Sequence, residues 1–187
     1  MTTIFLAEDQ KLLNTALATL LSLEDDLEVI GTATDGEIAL SSIITKNPDV
    51  AILDIEMPKL SGLDVAQQIH LLRLPIKVII LTTFATAQYF AQAVAADVNG
   101  YLLKDNPTEQ LVKAIHEVLD GKTIFSPELV STIISAEKNP LTKRELDVLK
   151  EIKTGKSSKD IAKAVFLSEG TVRNYISSIL SKTGTSS

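Results

Sequence analysis

Five short apolar runs punctuate residues 1–120: Ile4–Ala7, Val29–Ala33, Val50–Leu53, Val78–Leu81 and Tyr101–Leu103. Between them lie stretches with helical spacing. Leu12, Leu13, Ala16, Leu17, Leu20 and Leu21 recur at three and four, as do Leu63, Ala66 and Ile69, with Ile38, Ser42 and Ile43 less regular. Strands alternating with helices predict βα units and a parallel sheet. The central runs are β-branched and almost wholly apolar. Such strands need helices on both faces, so the expected fold is a doubly wound α/β sheet. Asn106, Pro107 and Glu109 then read as a helix start, with Leu111, Val112, Ile115, Val118 and Leu119 as its stripe and Gly121 as its stop.

The chain changes character after residue 121. Residues 122–139 read as a connector with one short helix, capped by Ser126 and running through Leu129, Ile133 and Ile134. From residue 140 onward the pattern is all helical. Thr142 with Glu145, and Ser157 with Asp160, form capping-box pairs. Ser168 and Thr171 open a third helix with Val172, Ile176, Ile179 and Leu180 as its stripe, and Gly184 reads as its stop. Three short helices in tight succession predict a small helix-turn-helix domain. The 187 residues are enough for these two domains.

Charge divides the same way. Residues 1–120 carry 17 acidic and 7 basic side chains, and residues 121–187 carry 7 and 11. Balances of −10 and +4 suit the second part alone to nucleic acid. The absence of cysteine excludes a disulfide scaffold, a thiolate metal site and a cysteine nucleophile. Met1–Asp9 lacks a secretory pattern, and no apolar run approaches the roughly 18 residues of a membrane span. A cytoplasmic protein without stable membrane insertion is expected.

Polar residues follow four of the apolar runs: Glu8 and Asp9, Asp54, Thr82, and Lys104. In a parallel sheet these positions share one edge, where such folds place ligands. Clustered carboxylates repel unless a cation joins them, and Mg²⁺ favours hard oxygen ligands. Asp9 and Asp54 are candidates for direct ligation, Glu8 through water, and Glu56 through its backbone carbonyl. A carboxylate nucleophile with a metal, a lysine and a hydroxyl can form and hold an acyl phosphate. Each residue also has a plainer role: a turn cap for the acidic pair, a turn residue for Asp54, a β-branched filler for Thr82, a surface position for Lys104. Their shared edge favours the site.

The residues Glu8-Asp9, Leu53-Asp54-Ile55-Glu56-Met57-Pro58, Ser61-Gly62, Thr82 and Tyr101-Leu102-Leu103-Lys104 resemble the receiver domain of two-component response regulators. The resemblance implies a five-stranded parallel sheet of order 2-1-3-4-5 with five helices. It implies Asp54 as acceptor of a phosphoryl group from a sensor histidine kinase, and Tyr101 as an aromatic that moves inward with Thr82. A half-buried strand aromatic is equally compatible with Tyr101. Leu141 to Glu145, Val148-Leu149, Gly155, Ile161-Ala162 and Leu167 to Ser177 resemble the LuxR/FixJ/NarL-type output domain. Details such as Ala7-Glu8-Asp9-Gln10, Thr82-Thr83-Phe84-Ala85 and Gly170 to Ser177 are similar to regulators of a membrane-lipid desaturase that answer a cold-sensing kinase.

The expected product is a phosphorylation-activated, non-enzymatic transcription regulator that binds promoter DNA. By family position Arg173, Asn174 and Ser177 face the major groove, Thr171 donates to phosphate, and Lys156 and Lys159 are phosphate contacts, with Lys163 and Lys182 as further candidates. A solvated helix face is the plainer role of each lysine. The resemblance also implies a homodimer formed on phosphorylation through the first and last receiver helices, around Leu13, Leu17, Leu111, Val112 and Ile115, several of which must also face the sheet. Relatives often carry lysine at the Ser177 position and continue beyond Gly184 with another helix, so the output domain reads as truncated. That keeps open a receiver-type interaction protein with weak or no DNA binding. An aspartyl-phosphate phosphatase is disfavoured, because no second aspartate stands two residues after Asp54. His70 and His116 read as surface or boundary residues.

Overall fold

A computed structural model describes residues 1–131 and 141–183. The chain forms two compact units, Met1–Ile134 and Ser135–Ser187. In the first, strands and helices alternate: β1 (Thr2–Ala7), α1 (Lys11–Leu21), β2 (Leu27–Ala33), α2 (Gly36–Lys46), β3 (Val50–Leu53), α3 (Gly62–Leu71), β4 (Lys77–Thr82), α4 (Ala87–Ala95), β5 (Gly100–Leu103), α5 (Thr108–Leu119) and β6 (Ile124–Phe125). All strands pair in parallel, in the order β2-β1-β3-β4-β5-β6.

The two-residue period of the strands sorts their side chains between two cores. Phe5 and Ala7, Ala51 and Leu53, Val78 and Ile80, and Tyr101 and Leu103 pack on the α2–α4 side. Ile4 and Leu6, Val50 and Ile52, Ile79 and Leu81, and Leu102 pack on the α1/α5 side. Both alternating sets are apolar, which is why the strands read as unbroken hydrophobic runs. Their parallel direction brings the ends of β1, β3, β4 and β5 to a single edge.

The sheet has six strands rather than the expected five. β6 pairs Ile124 with Gly100 and Phe125 with Tyr101. The Ile124 N–H donates to the Asn99 carbonyl at 2.9 Å, and the Ser126 N–H to the Tyr101 carbonyl at 3.0 Å. The Phe125 ring lies edge-on to Phe90, 5.1 Å between centroids. A two-residue strand has no periodicity to read. It is held by backbone bonds and one aromatic contact, so the start of the presumed connector is part of the sheet. Residues 127–131 are helical and Leu129 is fully buried. The remainder of the expected connector helix, with Ile133 and Ile134, lies outside the described residues, as does Gly184.

Side-chain caps set several of the helix starts. Ser61 and Asp64 form a reciprocal capping box on α3. The start of α5 differs: Pro107 holds the cap position, and Asn106 instead bonds Gln110 at 2.8 Å. On α2 the buried positions are Gly36, Ala39 and Ile43, leaving Ile38 half exposed. Gly62 is dictated by space. A Cβ there would stand 2.0 Å from the Asp54 carbonyl oxygen.

The second unit contains α6 (Lys143–Ile152), α7 (Ser158–Ala164) and α8 (Glu169–Thr183). Val148, Ile161, Ala162, Val172 and Ile179 are its buried core, with Leu141, Ile152, Tyr175 and Ile176 packed around them. Gly155 ends the turn after α6 at φ +75°, a conformation that glycine adopts without strain. Glu145 is the polar centre of the unit. Its carboxylate accepts from the Thr142 N–H at 2.6 Å, the Ser178 hydroxyl at 2.5 Å and the Lys182 ammonium at 2.9 Å. The Ser178 hydrogen bond, then Lys182 and Thr142, hold its carboxyl down at about 2.

This packing has two testable outcomes. Gly62→Ala forces backbone apart beneath Asp54 and should destabilise the first unit by about 3 kcal/mol, measured by urea unfolding. Glu145 has its folded pKa below the ordinary 4.5, so its contribution is complete above that value and fades as pH falls toward about 2. Thermal melts of the second unit should therefore lose stability across that window, and Glu145→Gln should melt lower at pH 7 with a flatter acid dependence.

Candidate functional site

The turn after β1 delivers Glu8 inward and Asp9 outward. Glu8 is 1% exposed and Asp9 is exposed. Asn14 fixes this corner: its amide donates to the carbonyls of Glu8 at 3.0 Å and Ala33 at 2.9 Å. Asp54 comes directly after β3, its N–H donating to the Ala7 carbonyl at 2.9 Å. One carboxylate oxygen from each of Glu8, Asp9 and Asp54 lies within 4.8 Å of the others, a donor set able to hold a metal ion. Glu56 stands two residues on, in a turn closed where the Ile55 carbonyl accepts from the N–H groups of Met57 and Gly62.

Lys104, directly after β5, enters the same cluster. Its ammonium lies 2.7 Å from Glu8 and 2.9 Å from Asp54, and its side chain is only 8% exposed. Burial pushes the Glu8 carboxyl above its ordinary pKa, against the pull of Lys104. Burial also opposes the Lys104 ammonium, but its hydrogen bonds to Glu8 and Asp54 outweigh that and leave its pKa raised. The three groups therefore form one buried electrostatic unit.

Thr82 closes β4 and is fully buried. Its hydroxyl accepts from the Phe84 N–H at 3.2 Å. The Tyr101 hydroxyl donates to the Phe84 carbonyl at 2.7 Å. Burial pushes the Tyr101 phenol well up, so it stays a donor. Thr82 and Tyr101 are thus joined through the backbone of one residue, Phe84. The sequence reading missed both Phe84 and Asn14. Neither had a signal beyond its place near an expected site residue, since Phe84 acts through backbone groups.

In the second unit the Ser168 hydroxyl accepts from the Thr171 N–H at 3.1 Å and meets the Thr171 hydroxyl at 2.7 Å, opening α8. Arg173, Asn174 and Ser177 are all exposed, and their one- and four-residue spacings place them on one side of the helix. Arg173 is paired with Glu169 one turn earlier. Lys159 and Lys163 are exposed, while Lys156 is held by Glu151 at 2.5 Å and Lys182 by Glu145.

On the α1 and α5 surface, Leu17, Leu111 and Ile115 are buried, and Leu13 and Val112 are half-buried. Leu12, at 87% exposure, and Leu20, Leu23 and Leu119 are the exposed apolar side chains there. His116 meets Asp26 at 2.8 Å, and His70 lies 3.9 Å from Asp97, both at partly exposed positions. Among the described residues no helix is long and apolar enough to cross a membrane.

A doubly wound sheet with an acidic pocket at the carboxyl ends of its strands, continued by a helix-turn-helix unit, defines a DNA-binding response regulator. The comparisons agree for both units. The response regulator receiver domain matches residues 4–116, and the bacterial regulatory proteins of the luxR family match residues 139–187. The chain belongs to the LuxR-family response regulators. It is 50% identical over 182 residues to the transcriptional regulatory protein DesR of Bacillus subtilis (strain 168), covering 97% of this chain and 90% of that one. It is 51% identical over 179 residues to the uncharacterized transcriptional regulatory protein YvfU of the same organism, covering 96% and 89%. A crystal structure of a LuxR-family DNA-binding response regulator from Staphylococcus aureus superposes with a TM-score of 0.62 at 43% identity, covering 63% of this chain and 98% of that one.

Removing Lys104 tests the electrostatic unit. Lys104→Met leaves Glu8 and Asp54 buried without their counter-charge and should destabilise the first unit by about 3 kcal/mol at pH 7. A buried carboxyl with a raised pKa loses stability as pH rises above its unfolded value. The deficit in urea midpoint should therefore shrink as pH is lowered toward 5.

Proposed function

We propose that Asp54 is the phosphoacceptor and that its phosphorylation by a sensor histidine kinase switches the protein into a promoter-binding homodimer. The reading rests on the convergence of Glu8, Asp9 and Asp54 within 4.8 Å, with Lys104 bonded to two of them. An Asp54 carboxylate oxygen attacks the phosphorus of a phosphohistidine. The N–P bond breaks with its electron pair retained by the imidazole, leaving an acyl phosphate. Asp9 and Asp54 would hold Mg²⁺ directly, Glu8 through water, and the Glu56 carbonyl would complete the protein's share. When bound, the ion neutralises carboxylate charge and polarises phosphoryl oxygens.

Lys104 would then pair with a phosphoryl oxygen, and the Thr82 hydroxyl would donate to another. Movement of Thr82 toward the phosphoryl group breaks its bond with the Phe84 N–H. That would free the Phe84 backbone, and Tyr101, held by the Phe84 carbonyl, would move with Phe84. The functional division would be a receiver at 1–121, a connector at 122–139 whose start adds β6 to the receiver sheet, and an output domain at 140–187. Dimerisation would use α1 and α5, and the exposed Leu12, Leu20, Leu23 and Leu119 suit that role better than the buried Leu17, Leu111 and Ile115. On DNA, Arg173, Asn174 and Ser177 would face bases, with Thr171, Lys156 and Lys159 at phosphates. The similarity to desaturase regulators extends the proposal to a kinase that senses cold or membrane fluidity. The chain would act in the cytoplasm.

Treatment with Mg²⁺ and a small acyl phosphate should add one phosphoryl group by mass spectrometry, and Asp54→Asn should add none. Equal modification of the variant would refute the assignment. Light scattering should show the phosphorylated chain as a dimer, with tighter promoter binding than the untreated chain. Arg173→Ala should reduce promoter affinity by about 5- to 150-fold, the range of one lost bidentate base contact.

A further inference from the structure

Phe166 stands in the turn of the helix-turn-helix unit, and both its backbone and its side chain are out of keeping with a structural role. Its φ is +56°. The Phe166 N–H donates to the Lys163 carbonyl at 3.4 Å, and the Leu167 N–H to the Ala162 carbonyl at 2.9 Å. These two bonds end α7 in a Schellman motif, with Phe166 at the left-handed position where glycine fits best. The other non-glycine residues with positive φ among the described residues are Asn47, Lys59, Arg73 and Asp97, all polar. Phe166 is also 94% exposed, more than any other large apolar side chain among the described residues. Packing within the second unit therefore does not account for the ring.

Its surroundings indicate what does. Two residues later Ser168 caps α8, the helix whose exposed side carries Arg173, Asn174 and Ser177. A recognition helix enters the groove by its N-terminal end, so the preceding turn borders the DNA backbone. Lys159 and Lys163 are exposed on the helix just before the turn. Exposed cations on the helix that leads into an exposed ring match a polyanion with apolar sugar faces better than an apolar protein surface. We infer that the Phe166 ring packs on deoxyribose at the edge of the major groove and contributes sequence-independent affinity. The inference rests on α8 being the recognition helix.

The test uses the full chain and a fluorescein-labelled mixed-sequence duplex at low salt, read by anisotropy. Phe166→Gly removes the ring and suits the left-handed backbone. Its dissociation constant should rise about tenfold with the melting temperature equal or higher. The slope of log affinity against log salt should stay parental, because an uncharged ring neutralises no phosphate and releases no counterion. Phe166→Tyr should restore binding. Lys159→Ala is the control, expected to weaken binding and flatten that slope. If Lys159→Ala weakens binding while Phe166→Gly binds like the parent, the ring proposal alone fails. Loss of binding with a lowered melting temperature in Phe166→Gly makes the ring structural and also overturns it. Parental DNA binding with lost transcription by purified RNA polymerase assigns the ring to a protein and overturns it. Absence of any duplex binding by the parent chain overturns the assignment of α8 as well.

Discussion

Two buried carboxylates share one buried ammonium, and much of the first unit is arranged around that fact. Burying Glu8, Asp54 and Lys104 without one another would carry a penalty of several kcal/mol for each ion. Together they are tolerated because each lies at the end of a strand whose register is fixed elsewhere. Glu8 is aimed by β1 and by the amide of Asn14, Asp54 by its backbone bond to Ala7, and Lys104 by its backbone bond to Thr82. The sheet positions the charges, and the balance of charge allows the sheet edge to close over them. A polar site this enclosed responds to any new charge, because little water is present to screen it.

Much of this was legible in the sequence. The apolar runs revealed the parallel strands, because a sheet covered on both faces leaves no polar alternation. The residues after those runs revealed the edge. The capping pairs at Thr142 and Ser157 located two helices of the second unit within a residue. Periodicity failed where tertiary packing decides. Ile38 has the spacing of a core position, but α2 buries Gly36, Ala39 and Ile43 and leaves Ile38 half exposed. In α4 only Ala93 is buried, too little to mark a core-facing stripe. β6 has no pattern because it has only two residues.

The finer features of the site were hidden for another reason. Glu145 was readable as half of a capping box, but its bonds to Ser178 and Lys182 cross 33 and 37 residues. Local spacing carries no record of such contacts. They also hold Lys182 on a buried carboxylate, whereas Lys156 would exchange its partly exposed partner Glu151 for a phosphate. Charge counted along a helix therefore overstates the charge that a partner meets. The same limit applies to Phe84, whose N–H and carbonyl connect Thr82 to Tyr101.

The short strand β6 gives the receiver an outlet that is part of its sheet. Phe125 is the register partner of Tyr101, and the N–H of the next residue, Ser126, donates to the Tyr101 carbonyl. Chain leaving the first unit thus begins alongside the aromatic segment rather than as a free tether. Any displacement of the Tyr101 backbone would therefore have to carry the Ser126 backbone with it or break a hydrogen bond of 3.0 Å.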